Sequence, residues 1–223
     1  SGHGVACFMA DSIFSSDGIY EIPKGFLKKI YQVIRSFGGV VIADEVQSGF
    51  GRLGDQMWAY QDDVVVPDIV TMGKPMGNGH PVSALLTHKD LIESLDQAYN
   101  GNSYFNTFGG NPVSAAAALS VLDIIEEENL VEHAGKVGRY LKKQLMSTLK
   151  DKESVVEIRG KGLFIGIELD EPSRATKAME EMMHQGVLVG KTGPKNNVIK
   201  LRPPMTFKTK HADLLVEKLN QCL

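Results

Sequence analysis

The sequence predicts an α/β chain, with an open sheet carrying helices on its faces and a smaller α+β part after it. Two observations carry this. Through the first half, short apolar runs alternate with stretches of helical periodicity, the rhythm of βαβ units. After about residue 128 the order changes to two successive helices, neighbouring strand-like runs and a closing helix. The expected division is therefore two domains, 1–128 and 129–223.

Each element has its own signal. Residues 5–10 read as a buried strand. A helix is expected over 23–37, opened by Pro23, whose fixed φ suits a first turn, and ended by Gly38-Gly39. Val40-Val41-Ile42-Ala43 is a continuous apolar run, as in a strand buried on both faces. Further strands are expected over 68–72 and 82–87, and a helix starting near Lys89. The alanine-rich stretch 112–128 is strongly helical, Asn129-Leu130 marks a seam, and a second helix runs to about Lys150. Strands at 155–159 and 163–169 flank Gly160-Lys161-Gly162, and a helix follows at about 172–185. Short strands at 187–190 and 198–202 and a helix at 209–221 complete the chain.

Composition excludes several classes. Apolar residues make up 43% and charged residues 23% of 223, ordinary for a globular chain, and a chain this long buries roughly 70% of its unfolded surface without staples. A net charge of -3 with no basic run gives no sign of nucleic-acid binding. No apolar stretch reaches the roughly 18 residues of a membrane span. Cys7 and Cys222 lie at opposite ends, without metal or redox spacing, which fits a reducing compartment and a cytoplasmic location. The scattered histidines lack metal-ligand spacing, so no metal is expected. The start, Ser1-Gly2-His3-Gly4, lacks the basic and apolar regions of a signal peptide, and a strand-like run follows at once. Gly73-Lys74 is not a P-loop, because the earlier glycine is absent and Pro75 stands where magnesium would need Ser or Thr. Gly160-Lys161-Gly162 is not a dinucleotide fingerprint, since the last glycine falls at Gly166 and no helix follows.

Open α/β sheets bind ligands at the carboxyl ends of their strands, and two such ends are chemically pointed. Strand 40–43 runs into Asp44-Glu45-Val46-Gln47, and strand 68–72 into Gly73-Lys74. An acid and a lysine there face one crevice, and a buried aspartate requires a cationic partner. One reading is a structural Asp–Lys ion pair. The other is a pyridoxal phosphate site, in which the lysine forms a Schiff base with the cofactor and the carboxylate pairs with its ring nitrogen. The lysine then moves the proton at the substrate's Cα.

The run Ala43-Asp44-Glu45-Val46-Gln47-Ser48-Gly49-Phe50-Gly51-Arg52-Leu53-Gly54 closely resembles the aspartate motif of class III aminotransferases. Thr71-Met72-Gly73-Lys74-Pro75-Met76-Gly77-Asn78-Gly79-His80-Pro81 resembles their Schiff-base lysine motif. Asn106-Thr107-Phe108-Gly109-Gly110-Asn111-Pro112 and Leu201-Arg202-Pro203-Pro204-Met205 resemble two later signatures, in the family's order and spacing. The resemblance runs from about residue 5 to the end. It implies the fold-type-I transferase fold, with an incomplete large-domain sheet and a small C-terminal domain, and pyridoxal 5'-phosphate as cofactor. It implies roles for single residues too. Asp44 pairs with the pyridine nitrogen, Val46 packs on the ring, Gln47 reaches its phenolic oxygen, and Lys74 is the Schiff-base residue and proton shuttle. Thr107 binds the cofactor phosphate in the neighbouring subunit's site, which implies a homodimer with shared active sites. Arg202 grips a substrate carboxylate in bidentate fashion; its alternative is a surface salt bridge.

Two departures from the family stand out. The segment Asp11-Ser12-Ile13-Phe14-Ser15-Ser16-Asp17 replaces a Glu-Pro-x-Gln-Gly type stretch and holds no glutamate to gate a carboxylate. The family's N-terminal part, with its phosphate turn and stacked aromatic ring, has no counterpart in the sequence, so the chain is expected to be a C-terminal portion that alone holds cofactor weakly or not at all. Within the family, the runs 66–81 and 104–107 look most like phospho-lyases of phosphorylated amines such as phosphoethanolamine or phosphohydroxylysine. On the breadth of the family as a whole, the expected function is transamination of an amine or amino acid with a keto-acid acceptor. Phosphate elimination is the alternative, and a non-catalytic dimerisation or binding remnant is the reading from another class.

Overall fold

The structure, a computed structural model, describes residues 4–101 and 104–223. In its first part β1 (Cys7–Ala10), β2 (Val40–Asp44), β3 (Ile69–Met72) and β4 (Ala84–Thr87) form one sheet in that order. The first three strands are parallel and β4 runs antiparallel to β3. The connections dictate those directions. Helix α1 (Phe26–Ser36) crosses over between β1 and β2, whereas the link 73–83 contains only one 3-10 turn, Lys74–Gly77, so β4 returns beside β3. Helix α2 (Lys89–Ala98) and the long helix α3 (Pro112–Glu127) follow.

The second sheet, built on α4 (Leu130–Leu149), has the order β5-β6-β8-β7, antiparallel throughout. Its strands are β5 (Val155–Lys161), β6 (Phe164–Leu169), β7 (Gly190–Thr192) and β8 (Val198–Leu201), with α5 (Pro172–His184) packed on it and α6 (Thr209–Cys222) packed against α4 and α5. Leu141, Leu145 and Leu149 repeat every four residues, so they line one face of α4. They are fully buried against Ile165, Ile167 and Leu169 of β6 and Ala212 and Leu219 of α6. Two of the expected starts move furthest. Helix α1 begins at Phe26 rather than Pro23, because Gly25 takes a left-handed conformation (φ 83). The amides of Gly25 and Leu27 are capped from afar by the two Asp63 oxygens, at 2.6 and 2.8 Å. The strand expected at 187–190 lies at 190–192: Val187 and Val189 pack on the core, but the ladder starts at the Gly190–Lys200 pair.

Two features tie the loop after β2 in place. The first is Glu45, which is fully buried. Its carboxyl group accepts hydrogen bonds from the Ala59 and Tyr60 amides, each at 3.0 Å, and from Ser48 Oγ at 3.1 Å. No cation is paired with it among the described residues, and burial pushes its pKa above the ordinary carboxyl value of 4.5 despite these donors. The second is a glycine seam. A Cβ on Gly138 of α4 would stand 2.2 Å from the Gly162 carbonyl oxygen, and one on Gly162 (φ +56) 2.3 Å from the Leu53 carbonyl carbon. Backbone therefore lies on backbone where the 52–54 loop, α4 and the β5–β6 turn meet.

Each feature makes a measurable prediction. Gly138→Ala is expected to cost about 1–3 kcal/mol in urea unfolding, the usual penalty for overpacking; wild-type stability would show that the seam can relax. For Glu45 the raised folded pKa means that the folded state binds the extra proton, so the stabilisation is complete below pH 4.5 and declines as the pH rises above that value. The stability of the wild type relative to Glu45→Gln is thus expected to fall as the pH is raised above 4.5. A difference that rises with pH would contradict this.

Candidate active site

The β2–β3 ladder sets Asp44 opposite Thr71, and the Glu45 amide extends it with a bond to the Thr71 carbonyl at 2.9 Å. Parallel strands end on the same edge, so the residues after both come out on one side. Asp44 Oδ1 accepts from the Val46 amide at 3.0 Å and from Thr71 Oγ1 at 3.3 Å. Its other oxygen has no partner among the described residues. After β3 the chain passes extended Gly73 and enters the 3-10 turn at Lys74, whose φ of 38 is a conformation that side chains rarely adopt. Met72 and Met76, on either side of Lys74, pack into a cluster with Phe50, Trp58, Ile125 and Leu130 and hold the turn there. His80 Nε2 and Ser114 Oγ, 2.8 Å apart, tie the same loop to α3. Lys74 is not the cationic partner of Asp44. Its side chain is exposed, and it forms no ion pair with Asp44 or any other described residue. The structural Asp–Lys pair is not what the two residues make.

Two cavities flank the lysine. One of about 300 Å³ is lined by Asp44, Lys74, Val46 and Gln47 together with Asp11, Phe14 and Asp17. The other, about 240 Å³, is lined by Lys74, Val46 and Gln47 with Arg52, Asn78 and Arg202. Charge is therefore segregated: the first holds three acids, and the second has three cations and no acid. Arg202, exposed at the end of β8, donates from Nη1 to Gln47 Oε1 at 2.9 Å and has no salt bridge among the described residues. Arg52 spends its Nη1 on the carbonyls of Leu163 and Pro203. Desolvation and then the neighbouring Arg202 lower its pKa to about 10. The Lys200 ammonium is likewise pulled below the ordinary lysine range by burial, then by Arg202 and Lys74. Cations that weaken one another in this way gain from an anion set among them.

Thr107 lies elsewhere. It is exposed in the turn before α3 and lines neither cavity. That turn is built by Asn111, which caps α3 by accepting from the Ser114 amide at 2.8 Å and donates to the Phe108 carbonyl at 2.8 Å, with Pro112 opening the helix. Of the expected site residues, the fold thus brings together Asp44, Val46, Gln47, Lys74 and Arg202, and leaves Thr107 apart. Sequence reasoning gave no role to Arg52 or Glu45, although both stand inside the aspartate motif. It also missed Ser15, whose hydroxyl accepts from Gln47 Nε2 at 2.7 Å.

The residues present fit pyridoxal phosphate. A carboxylate with one free oxygen and an unpaired amine line one cavity, as the cofactor's ring nitrogen and aldehyde require. Comparison with known proteins agrees. Residues 1–223 match the family described as Aminotransferase class-III, whose members depend on pyridoxal phosphate. The ethanolamine-phosphate phospho-lyase homolog 1 of Caenorhabditis elegans is 40% identical over 99% of this chain and 49% of its own length. The mitochondrial alanine--glyoxylate aminotransferase 2 homolog 2 of Arabidopsis thaliana is 43% identical over 99% and 46%. A solved phospholyase from Arthrobacter, in complex with phosphoethanolamine, superposes with a TM-score of 0.92 and 43% identity over 99% of this chain and 54% of that one. The chain spans about half the length of the curated relatives it matches. It belongs to the class-III aminotransferase family and has the fold of the type-I pyridoxal-phosphate enzymes.

Proposed function

We propose that the protein carrying this chain is a pyridoxal-phosphate enzyme that moves the amino group of a small amine or amino acid to a keto acid. The observation that carries this is the pair of uncompensated groups, Asp44 and Lys74, on one cavity at the carboxyl ends of β2 and β3. When bound, the cofactor supplies an electron sink for charge developing at the substrate's Cα. The free oxygen of Asp44 keeps a proton on the ring nitrogen. Lys74 Nζ would hold the cofactor aldehyde and, once the substrate's amine has displaced it, would take and return the Cα proton. Val46 closes one face of the ring, and Gln47 reaches its phenolic oxygen. Arg202 holds the substrate's anionic group.

The same reading assigns residues 1–128 to the cofactor-binding domain and 129–223 to the small domain. It also assigns a second copy of the chain. Tyr104, Phe105 and Phe108 are 78–88% exposed beside Thr107, and an apolar surface of this kind marks a contact site. A homodimer would cover it and carry Thr107 to the neighbouring site, where its hydroxyl binds the cofactor phosphate. No helix among the described residues is long and apolar enough to cross a membrane. The two cysteines are unpaired, which supports a reducing, cytoplasmic location, although the Arabidopsis relative is named mitochondrial.

Phosphate elimination from a phosphorylated amine is the second reading, favoured by the acid-free cationic cavity and by the named activity of two relatives. The two outcomes share the first proton transfer and diverge after it. The test measures keto product and inorganic phosphate separately, on the full-length protein with a panel of amines that includes phosphoethanolamine. Keto product supports transamination and phosphate supports elimination. In either case Lys74→Ala is expected to lower turnover by about 10²–10⁴-fold, the range for a lost general base. Neither product from any amine, or turnover untouched by Lys74→Ala, would leave the non-catalytic remnant as the better account.

A further inference from the structure

Three polar side chains form a directional relay behind Arg202. The Asp11 carboxyl group accepts the Ile13 amide on Oδ1 at 2.8 Å and the Ser15 amide on Oδ2 at 2.9 Å. The Ser15 hydroxyl also donates to Asp11 Oδ2. Ser15 is fully buried, so its one proton is committed to that acid and its lone pair faces Gln47. Gln47 must therefore present its amino group to Ser15, at 2.7 Å, and its carbonyl to Arg202, at 2.9 Å. An amide side chain is nearly symmetric in shape, and hydrogen-bond partners alone choose its orientation. Here the choice traces back to an acid 36 positions earlier in the chain. The other face of the segment is pinned too, since Thr192 Oγ1 donates to the Ser15 carbonyl at 2.8 Å.

We propose that Asp11 and Ser15 are positioning residues that act through Gln47 to hold Arg202 as a fully charged anion receptor at the cavity mouth. This rests on the reading of Arg202 as the substrate's anion-binding residue. Turned the other way, Gln47 would aim an N–H at the guanidinium and drive it off. A carboxylate in its place would hold the arginine but cancel its charge. A neutral carbonyl anchors one Nη1 proton and leaves the remaining donors and the full charge, beside Arg52, for a carboxylate or phosphate. Gln47 Nε2 carries two protons and gives one to Ser15, so the second stays available to a ligand in the Asp44 cavity.

The test is calorimetric titration of the full-length protein with inorganic phosphate, in the wild type, Ser15→Ala, Gln47→Ala, the double variant Ser15→Ala/Gln47→Ala, and Arg202→Ala. Asp11→Asn is the second probe of the relay should Ser15→Ala fail to fold. Arg202→Ala is expected to weaken binding by about tenfold or more, as for a lost charged hydrogen-bond donor. Ser15→Ala and Asp11→Asn are each expected to weaken it about 3–10-fold, as for one lost buried hydrogen bond. Because Ser15 acts through Gln47, Ser15→Ala is expected to have no effect in the Gln47→Ala background. An equal Ser15→Ala loss in both backgrounds means a merely structural role and overturns the proposal. So does unchanged or tighter binding in Ser15→Ala and Asp11→Asn when Arg202→Ala has lost it. Binding that survives Arg202→Ala removes the anion-receptor reading itself, and the relay with it.

Discussion

The parallel pairing of β2 with β3 is the constraint on which the site depends. It fixes Asp44 beside Thr71 and delivers two chain segments, one acidic and one bearing Lys74, to the same edge of the sheet. Side chains alternate along a strand, so a slip of one residue would turn Asp44 to the opposite face, away from the lysine. The register is protected by anchors beyond each strand end. Glu45 clamps the segment after β2 to the Ala59 and Tyr60 amides, and Met72 and Met76 anchor the segment after β3 in an apolar cluster. Packing energy thus goes into holding two reactive groups close to each other without letting them neutralise.

That separation extends to the whole site. Acids gather on the Asp44 side of Lys74 and arginines on the Arg202 side, with Val46 and Gln47 between them. A carboxylate near a ring nitrogen must stay ionised to hold the ring protonated, and an anion receptor must stay uncancelled to hold substrate. Mixing the two sets would satisfy each with the other and leave nothing for ligands. Gln47 is suited to the border because it is neutral and can donate on one side and accept on the other.

The sequence was most informative where chemistry is local. The acid after Ala43 and the lysine after Gly73 could be read from strand ends, and the leucines of α4 from their fourfold spacing. The Asp63 cap on α1 bridges residues 36–38 apart, Arg202 and Gln47 are 155 apart, and the contact of Gly138 with Gly162 joins a helix to a distant turn. Such pairings come from tertiary folding and leave no periodic trace in the chain. The exposure of Lys74 belongs to the same class, since strand position alone does not give it. The shift of β7 has a different origin: Val187 and Val189 alternate like a strand and do face the core, but alternation does not say where the ladder begins.

The central claim is that the amine of Lys74 is free in order to hold the cofactor. Reduction of the full-length protein with borohydride in the presence of pyridoxal phosphate, followed by peptide mass mapping, tests it most directly. A single pyridoxyl adduct on the peptide containing Lys74 is the result this account predicts. Label spread over surface lysines, or placed on another lysine while Lys74 stays unmodified, would contradict it.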